Sequence, residues 1–247
     1  MPDRIFIHDV VKRRTPLACG WDASRPPRDD VFLQRLCRAY RHALDPPNAS
    51  PSTKEGIWKY LIDMHRDVHE WLVSGHLELL EEYLSHMHDT PLTEGFAQGA
   101  NEATLISRDP VYATRATLIQ FDRLLGLAEY LAVTPLANPE QGSFQQFLDI
   151  EPDQLLDGIA SRIGFDLALP RWQGGLWGIR TRRGIISDRD PMALYAAIRI
   201  SEICPDRHTP LCEIGGGAGY LAFYPGQSHL LSPAQVCLLY TSPSPRD

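Results

Sequence analysis

The segment LCEIGGGAGYLA at positions 211–222 constrains the fold of this chain more than any other. Four residues of strand character, Leu211–Ile214, lead directly into alternating glycines and then into a helix-forming stretch. Glycine permits positive φ angles and a close approach of a ligand to the backbone. The N–H groups that begin a helix lack helical acceptors and face such a ligand. The segment therefore predicts a βα unit with a ligand site at its turn, where open α/β sheets bind ligands.

The spacing of the glycines distinguishes two classes of cofactor. A dinucleotide-binding turn follows G-x-G-x-x-G, which from Gly215 requires a glycine where this chain has Tyr220. The chain instead has an acid and then three glycines at alternate positions, and this pattern resembles the cofactor turn of class I S-adenosylmethionine-dependent methyltransferases. S-adenosylmethionine carries a sulfonium and an ammonium group, so a nearby carboxylate is electrostatically favourable. The cofactor-binding residues that the resemblance implies are Glu213, Gly215, Gly216, Gly217 and Gly219.

The sequence before the turn extends this resemblance to a family. A segment with helical character, DRDPMALYAAIRI at 188–200, is followed by a short linker and then by CEIGGG. This order resembles the sugar O-methyltransferases of bacteria, most closely over about 184–224. Those proteins have a variable, largely helical N-terminal region before a seven-stranded methyltransferase domain. The resemblance implies transfer of a methyl group from S-adenosyl-L-methionine to a sugar or another hydroxyl acceptor. It also implies that Glu213 lies near the methionine amino group.

Two departures from the family pattern affect what this chain can do. The family has an acid at the end of the second strand, which binds the ribose hydroxyls, but no acid occurs here between Glu213 and Asp247. Pro225 and Gly226 are also predicted to interrupt the helix after Tyr224. No catalytic base can be assigned, so catalytic residues stay unknown. We expect the chain as given to lack methyl-transfer activity.

Two other functions remain open at this stage. The first is a fragment of a nucleotide-binding Rossmann oxidoreductase, which would use a similar glycine turn and a ribose-binding acid. The second is a helical interaction module in which the glycines only turn the chain. That module predicts no binding of S-adenosylmethionine.

The final residues, CLLYTSPSPRD at 237–247, resemble a translated transposon-end adapter of shotgun sequencing libraries. The alternative is a disordered terminus rich in Ser and Pro. We therefore leave this tail out of the fold prediction. The predicted organisation is a mainly helical region over 1–205, the start of a truncated S-adenosylmethionine-binding domain over 206–236, and a non-native tail over 237–247. The predicted fold class is α/β, with a helical region before the first βα unit of an incomplete Rossmann-like domain.

Hydrophobic periodicity and end signals predict the elements of the N-terminal region. Asp29 or Asp30 is predicted to cap the first helix, Gly75 to end the second, and Pro110 to lie in the first turn of the longest one. A hairpin is predicted near 176–187 because two short apolar runs flank a polar turn. The predicted helices are 29–44, 52–75, 76–88, 109–133, 152–163 and 188–204.

Composition limits the partners of the chain. A formal net charge of -7 without a basic stripe argues against a nucleic-acid partner. No apolar run is long enough for a membrane span, and the N-terminus does not resemble a secretory signal. The scattered cysteines are typical of reduced thiols in a cytoplasmic protein. The predicted partner is a small-molecule or saccharide acceptor, and the sequence does not determine the oligomeric state.

Two groups of polar residues are candidate sites in their own right. His65 and His69 are one helical turn apart and have the spacing of metal ligands, but H-E-x-x-H is missing. We interpret them as solvated or capping residues and predict no metal site. Arg189, Tyr195 and Arg199 are candidates for lining a cofactor or acceptor cleft. Only Tyr195 and Arg199 are spaced to share one helix face.

Overall fold

The computed structural model describes residues 17–21, 27–44, 63–87, 90, 100–135, 150–170, 177–204, 206, 211–214, 219–228 and 236–239. For 43, 100, 211–214, 225–228 and 236–239 the description covers the backbone alone. The fold is mixed α/β and mostly helical, with a small three-stranded antiparallel sheet and a separate pair of parallel strands. Among the helices of these residues, none combines the length and apolar character needed to cross a membrane.

The elements follow one another along the chain as short strands and helices of nine to 21 residues. The strands are β1 Cys19–Trp21, β2 Trp177–Thr181, β3 Gly184–Ile186, β4 Leu211–Ile214 and β5 Val236–Leu239. The first helices are α1 Asp30–Ala43, α2 Arg66–Ser74, α3 Leu77–Ser85 and α4 Ala100–Arg108. The later helices are α5 Pro110–Tyr130, α6 Pro152–Ile163, α7 Arg189–Ile203 and α8 Tyr220–Ser228.

Helices α1, α2 and α3 pack around a small core of their own. The Asp29 carboxylate caps α1 by accepting from the Phe32 amide at 2.9 Å, which confirms one of the two predicted caps. Gly75 ends α2 in the left-handed conformation, as predicted, with φ of 78°. Periodicity places Val31 on the apolar face of α1, but its side chain is 68% exposed. The buried residues of this core are Leu33, Cys37, Val68, Leu72 and Leu80.

The larger core forms around α5, which packs against α4, α6, α7 and β2. Asp109 caps this helix by accepting from the Val111 and Tyr112 amides at 2.9 and 3.1 Å. Periodicity predicts a core face with Ile119, Leu124 and Leu127; Leu124 and Leu127 are buried, but Ile119 is 44% exposed. Because α5 has neighbours on several sides, its buried surface is wider than one helical stripe. The buried residues of α5 are Thr117, Leu118, Gln120, Phe121, Leu124, Leu125, Leu127 and Ala128.

The three-stranded sheet contains the predicted hairpin. Strands β2 and β3 pair antiparallel, with Ile179 opposite Ile186. Arg183 in the turn holds the hairpin to the helical layer, since its guanidinium contacts Asp157 of α6 at 3.1 Å and the Leu167 carbonyl at 3.0 Å. The structure adds β1, which pairs antiparallel with β2 and was not predicted. Helix α4 was not predicted either.

The predicted strand β4 and the helix after the glycines are both present. The expected interruption at Pro225 is wrong, because α8 continues through Pro225 and Gly226 to Ser228. Strand β5 then pairs with β4 in parallel, with Leu211 opposite Val236 and Ile214 opposite Leu239. Three of the four residues of β5 belong to the tail that was left out of the prediction, so this strand was not predicted. A parallel pair joined through a helix is a βαβ unit.

Helix α8 shares the larger core with the helical region before it. The side chains of Tyr220 and Tyr224 are 7% and 1% exposed and belong to the same apolar cluster as Leu194 and Ala197 of α7. The cluster also includes residues of α5 and α6. The start of α8, where the glycine turn ends, is therefore supported by helices on the N-terminal side of residue 205.

Candidate functional site at the start of helix α8

The residues predicted to bind a cofactor flank the connection between β4 and α8. Glu213 is the third residue of β4, where its backbone lies opposite Leu238 of β5. Gly219 immediately precedes α8. Gly215, Gly216 and Gly217 lie outside the described residues. The structure thus places the acid on the strand side of the turn and the last glycine on the helix side.

Gly219 has the backbone conformation for which glycine is needed. Its φ is 77°, in the left-handed region that other residues rarely adopt. No described atom lies within 4 Å of where a Cβ would stand, so the requirement comes from φ and not from crowding. The Phe223 amide donates to the Gly219 carbonyl at 3.0 Å, which makes Gly219 the N-cap of α8. The N–H groups that open α8 therefore point back toward the turn.

A buried polar cluster lies behind this helix start. Its members are Ser187, Asp190, Tyr220 and Tyr224, of which Asp190 is 2% exposed. The Tyr224 hydroxyl donates to Asp190 Oδ1 at 2.7 Å. The Ser187 amide and hydroxyl both donate to Asp190 Oδ2, at 2.6 and 2.8 Å. The Tyr220 hydroxyl lies 3.3 Å from Ser187 Oγ.

The local sequence explains how Asp190 comes to lie in the core. Ser187 Oγ accepts from the Arg189 amide at 3.3 Å while Asp190 reaches back to the Ser187 amide. This reciprocal arrangement resembles a capping box of the form S-x-x-D. The sequence predicts Asp188 or Asp190 as the cap of α7. Asp188 lies at the N-cap position, but its side chain makes no capping hydrogen bond, and Asp190 lies within the first turn and accepts from the Ser187 amide before the helix. The Asp188 carboxylate forms an ion pair with Arg123 of α5, with Oδ2 2.5 Å from Arg123 Nη1.

Burial changes the acidity of this cluster. Desolvation raises the pKa of Asp190 from 3.8 to about 6, although the hydrogen bonds from Tyr224 and Ser187 favour the carboxylate and act in the opposite direction. Burial also raises the pKa of Tyr220 and of Tyr224, and the nearby Asp190 carboxylate adds to both effects. Both phenols therefore stay neutral near pH 7, where Asp190 is mainly ionised.

Sequence reasoning did not assign Ser187, Tyr220 or Tyr224 to any site. Two signals were available: the S-x-x-D spacing at 187–190, and the two tyrosines at i and i+4, which share one face of α8. Neither signal identifies its partner on the other helix. The cluster arises only when α7 and α8 pack together.

The other candidate residues lie on the surface of α7. The Tyr195 ring packs edge-on against Tyr130 of α5, with ring centroids 4.9 Å apart. Arg199 Nη1 donates to the Tyr130 hydroxyl at 3.2 Å, and Arg199 also forms an ion pair with Glu202. Tyr195 and Arg199 therefore share a face, as their spacing predicts. Arg189 lies apart from them, with its Nε 4.0 Å from an oxygen of Asp188.

His69 has a partner of its own within the first helical core. Its Nδ1 lies 2.8 Å from the Tyr40 hydroxyl, and the two rings meet edge-on. Over the part of the chain that the structure describes, no group of three His, Cys, Asp or Glu residues is arranged to hold a metal ion.

Comparison of the chain with models of protein families, with curated protein sequences and with solved structures finds no match.

Proposed function

We propose that this chain carries the S-adenosylmethionine-binding first βα unit of a Rossmann-like O-methyltransferase, whose acceptor is a sugar or another hydroxyl compound. One observation carries the proposal. Strand β4 leads through the glycine turn into α8, with Glu213 on the strand side of the turn and a left-handed Gly219 directly before the helix. A ligand at this position meets the carboxyl end of β4 and the N-terminus of α8.

The residues present have the chemistry that S-adenosylmethionine requires. The ligand's ammonium and sulfonium groups are cationic, and Glu213 supplies a carboxylate beside the turn. The ligand's own carboxylate suits the N–H groups at the start of α8, where the helix dipole favours an anion. The alternating glycines leave room for close approach to the backbone. When bound, the cofactor supplies an electrophilic methyl group.

One feature of the proposed site is missing from the chain. The acid that would bind the ribose hydroxyls belongs at the end of the second strand, but the sequence has no acid between Glu213 and Asp247. We therefore expect binding to be weak and methyl transfer by this chain to be absent. In a complete methyltransferase of this kind, a base takes the proton of the acceptor hydroxyl, and most of the rate comes from positioning the two reactants.

The proposal is tested by titrating the ¹⁵N-labelled chain with S-adenosylmethionine and, separately, with NAD⁺. We expect calorimetry to detect no tight binding, while NMR detects weak saturable shifts in the amides of 213–222 with S-adenosylmethionine only. Glu213→Gln should weaken these shifts. Glu78→Gln on α3, which removes one carboxylate outside the site, should not. The Glu78 variant serves as the matched control.

Each other outcome supports a different function. Saturable shifts in the same amides with NAD⁺ alone would support the nucleotide-binding oxidoreductase fragment. No shift with either ligand would overturn the proposal and favour the helical interaction module. Micromolar affinity for S-adenosylmethionine would show that the ribose-binding acid is not needed for binding.

A further inference from the structure

A carboxyl group is buried in the apolar interface between α7 and α8. The two oxygens of Asp190 point to different elements, one accepting from Tyr224 on α8 and the other from Ser187 at the start of α7. Leu194 and Ala197 of α7 and Tyr224 of α8 belong to one apolar cluster, and Phe223 packs against it. Burying a carboxylate costs free energy unless its oxygens are hydrogen-bonded, and here both oxygens are bonded.

Apolar side chains would hold these two helices together without that cost. Replacing buried polar groups by well-packed apolar ones is often neutral or stabilising. A hydrogen-bonded carboxylate, in contrast, accepts only from donors at defined distances and angles. The 2.7 Å bond from Tyr224 therefore restricts how α8 can rotate and slide on α7 in a way that apolar contact does not.

The two tyrosines of the cluster lie in the first turns of α8, so their hydrogen bonds restrict the part of the helix that follows the glycine turn. Tyr220 is the first residue of α8 and follows Gly219 directly, and Tyr224 is one helical turn further on. The Tyr220 hydroxyl reaches Ser187, which is itself bonded to Asp190. The first turn of α8 is thus held at both ends by one cluster, and this turn begins directly after Gly219.

We propose that Asp190 is a positioning residue for the glycine turn: by binding Tyr224 and Ser187, it fixes the direction in which the opening N–H groups of α8 point. The identity of the ligand that uses those N–H groups rests on the proposed function. Asp190 itself is buried and does not touch that ligand.

The test compares Asp190→Asn, Tyr224→Phe and Tyr220→Phe with the wild-type chain. Amide hydrogen exchange and chemical shifts of residues 219–223 are measured without ligand between pH 4.5 and 7.5. We expect Asp190→Asn and Tyr224→Phe to raise exchange in this segment by about tenfold, the effect of losing a hydrogen bond to a charged group. Tyr220→Phe should have a smaller effect, because its hydroxyl makes a longer contact with an uncharged group.

The pH profile separates positioning from general loss of stability. In the wild-type chain the shifts of 219–223 should titrate with the Asp190 carboxyl group, and this titration should be absent in Asp190→Asn. The other charged groups around the cluster are Asp188 and Arg189, with Arg123 paired to Asp188. They are present in every variant, so they cannot cause the difference.

Two results distinguish this inference from the proposed function. If Asp190→Asn and Tyr224→Phe leave the exchange and shifts of 219–223 unchanged, the positioning role is overturned, whether or not S-adenosylmethionine binds. If both variants change this segment but the wild-type chain does not bind S-adenosylmethionine, the positioning role is supported and the proposed ligand is wrong. Unchanged amide signals in the β2–β3 hairpin show that a variant is folded. Tyr224→Phe keeps the carboxyl group and serves as the test if Asp190→Asn does not fold.

Discussion

Replacing Asp190 by Asn should remove a pH-dependent penalty from the larger core. Its pKa is raised from 3.8 to about 6 by burial, so the folded protein holds the proton more tightly than the unfolded chain. The free energy of unfolding therefore contains a contribution that is complete below pH 3.8 and is lost as the pH rises through about 6. Asn has nearly the same shape as Asp and no charge at any pH. The free energy of unfolding of the variant therefore lacks this pH-dependent contribution.

The shift in pKa sets the size of the effect. A rise from 3.8 to about 6 corresponds to roughly 3 kcal/mol over the whole titration. Between pH 4.5 and 7.5 the wild-type chain should lose about 2 kcal/mol through this group, since part of the change occurs below pH 4.5. Tyr220 and Tyr224 stay neutral throughout, because burial raises their pKa.

Urea unfolding of both proteins at pH 4.5 and 7.5 measures this contribution. At each pH, the free energy of unfolding of the wild-type chain is subtracted from that of Asp190→Asn. This difference should be about 2 kcal/mol larger at pH 7.5 than at pH 4.5. Subtraction removes the groups that titrate equally in both proteins. A difference that does not change with pH, or that decreases, would refute the reasoning that Asp190 is a buried carboxyl group with a raised pKa.

Three further predictions concern the framework around the site. Gly178→Ala should lower the free energy of unfolding by about 2 kcal/mol or more, since its Cβ would lie 2.2 Å from the Ile186 carbonyl oxygen. Gly126 lies on α5 with open space around it, so Gly126→Ala should raise the free energy of unfolding by about 0.5–1 kcal/mol. Urea unfolding that shows equal effects for the two glycine variants would contradict this contrast. Asp109→Ala should cost about 1 kcal/mol by removing the cap of α5, whereas Asp109→Asn should retain most of the stability. Arg183→Ala should lower the melting temperature, and this decrease should be smaller at high salt because salt screens the ion pairs of Arg183. A decrease that does not depend on salt would contradict a stabilising role of these ion pairs.

Local signals in the sequence were sufficient for most helices. Helix α6 begins and ends at the predicted residues, Pro152 and Ile163, because a proline at its start and Gly164 after its end are strong boundary signals. Pro110 and Gly75 likewise lie where the sequence predicts, in the first turn of α5 and at the end of α2. The hairpin was predictable because its two strands are close in sequence.

Features that depend on distant contacts could not be predicted. Strand β1 is three residues long and exists because Cys19 and Trp21 pair with residues of β2 that are far away in sequence. Pro225 was expected to end α8, but the helix continues beyond it. For the candidate site, the acid and glycine pattern was evident from the sequence. The Asp190 cluster was not, since its partners on α8 are more than thirty residues further along the chain.

The most direct measurement of the central claim is the dissociation constant of S-adenosylmethionine for three proteins, determined by NMR titration. These are the wild-type chain, Gly217→Val within the turn and Gly226→Ala in α8 outside it. We predict weak saturable binding by the wild-type chain and by Gly226→Ala, and no binding by Gly217→Val, because a branched side chain blocks approach to the backbone. Equal binding by all three proteins, or none by the wild-type chain, would contradict the claim that the acid and alternating glycines hold this cofactor.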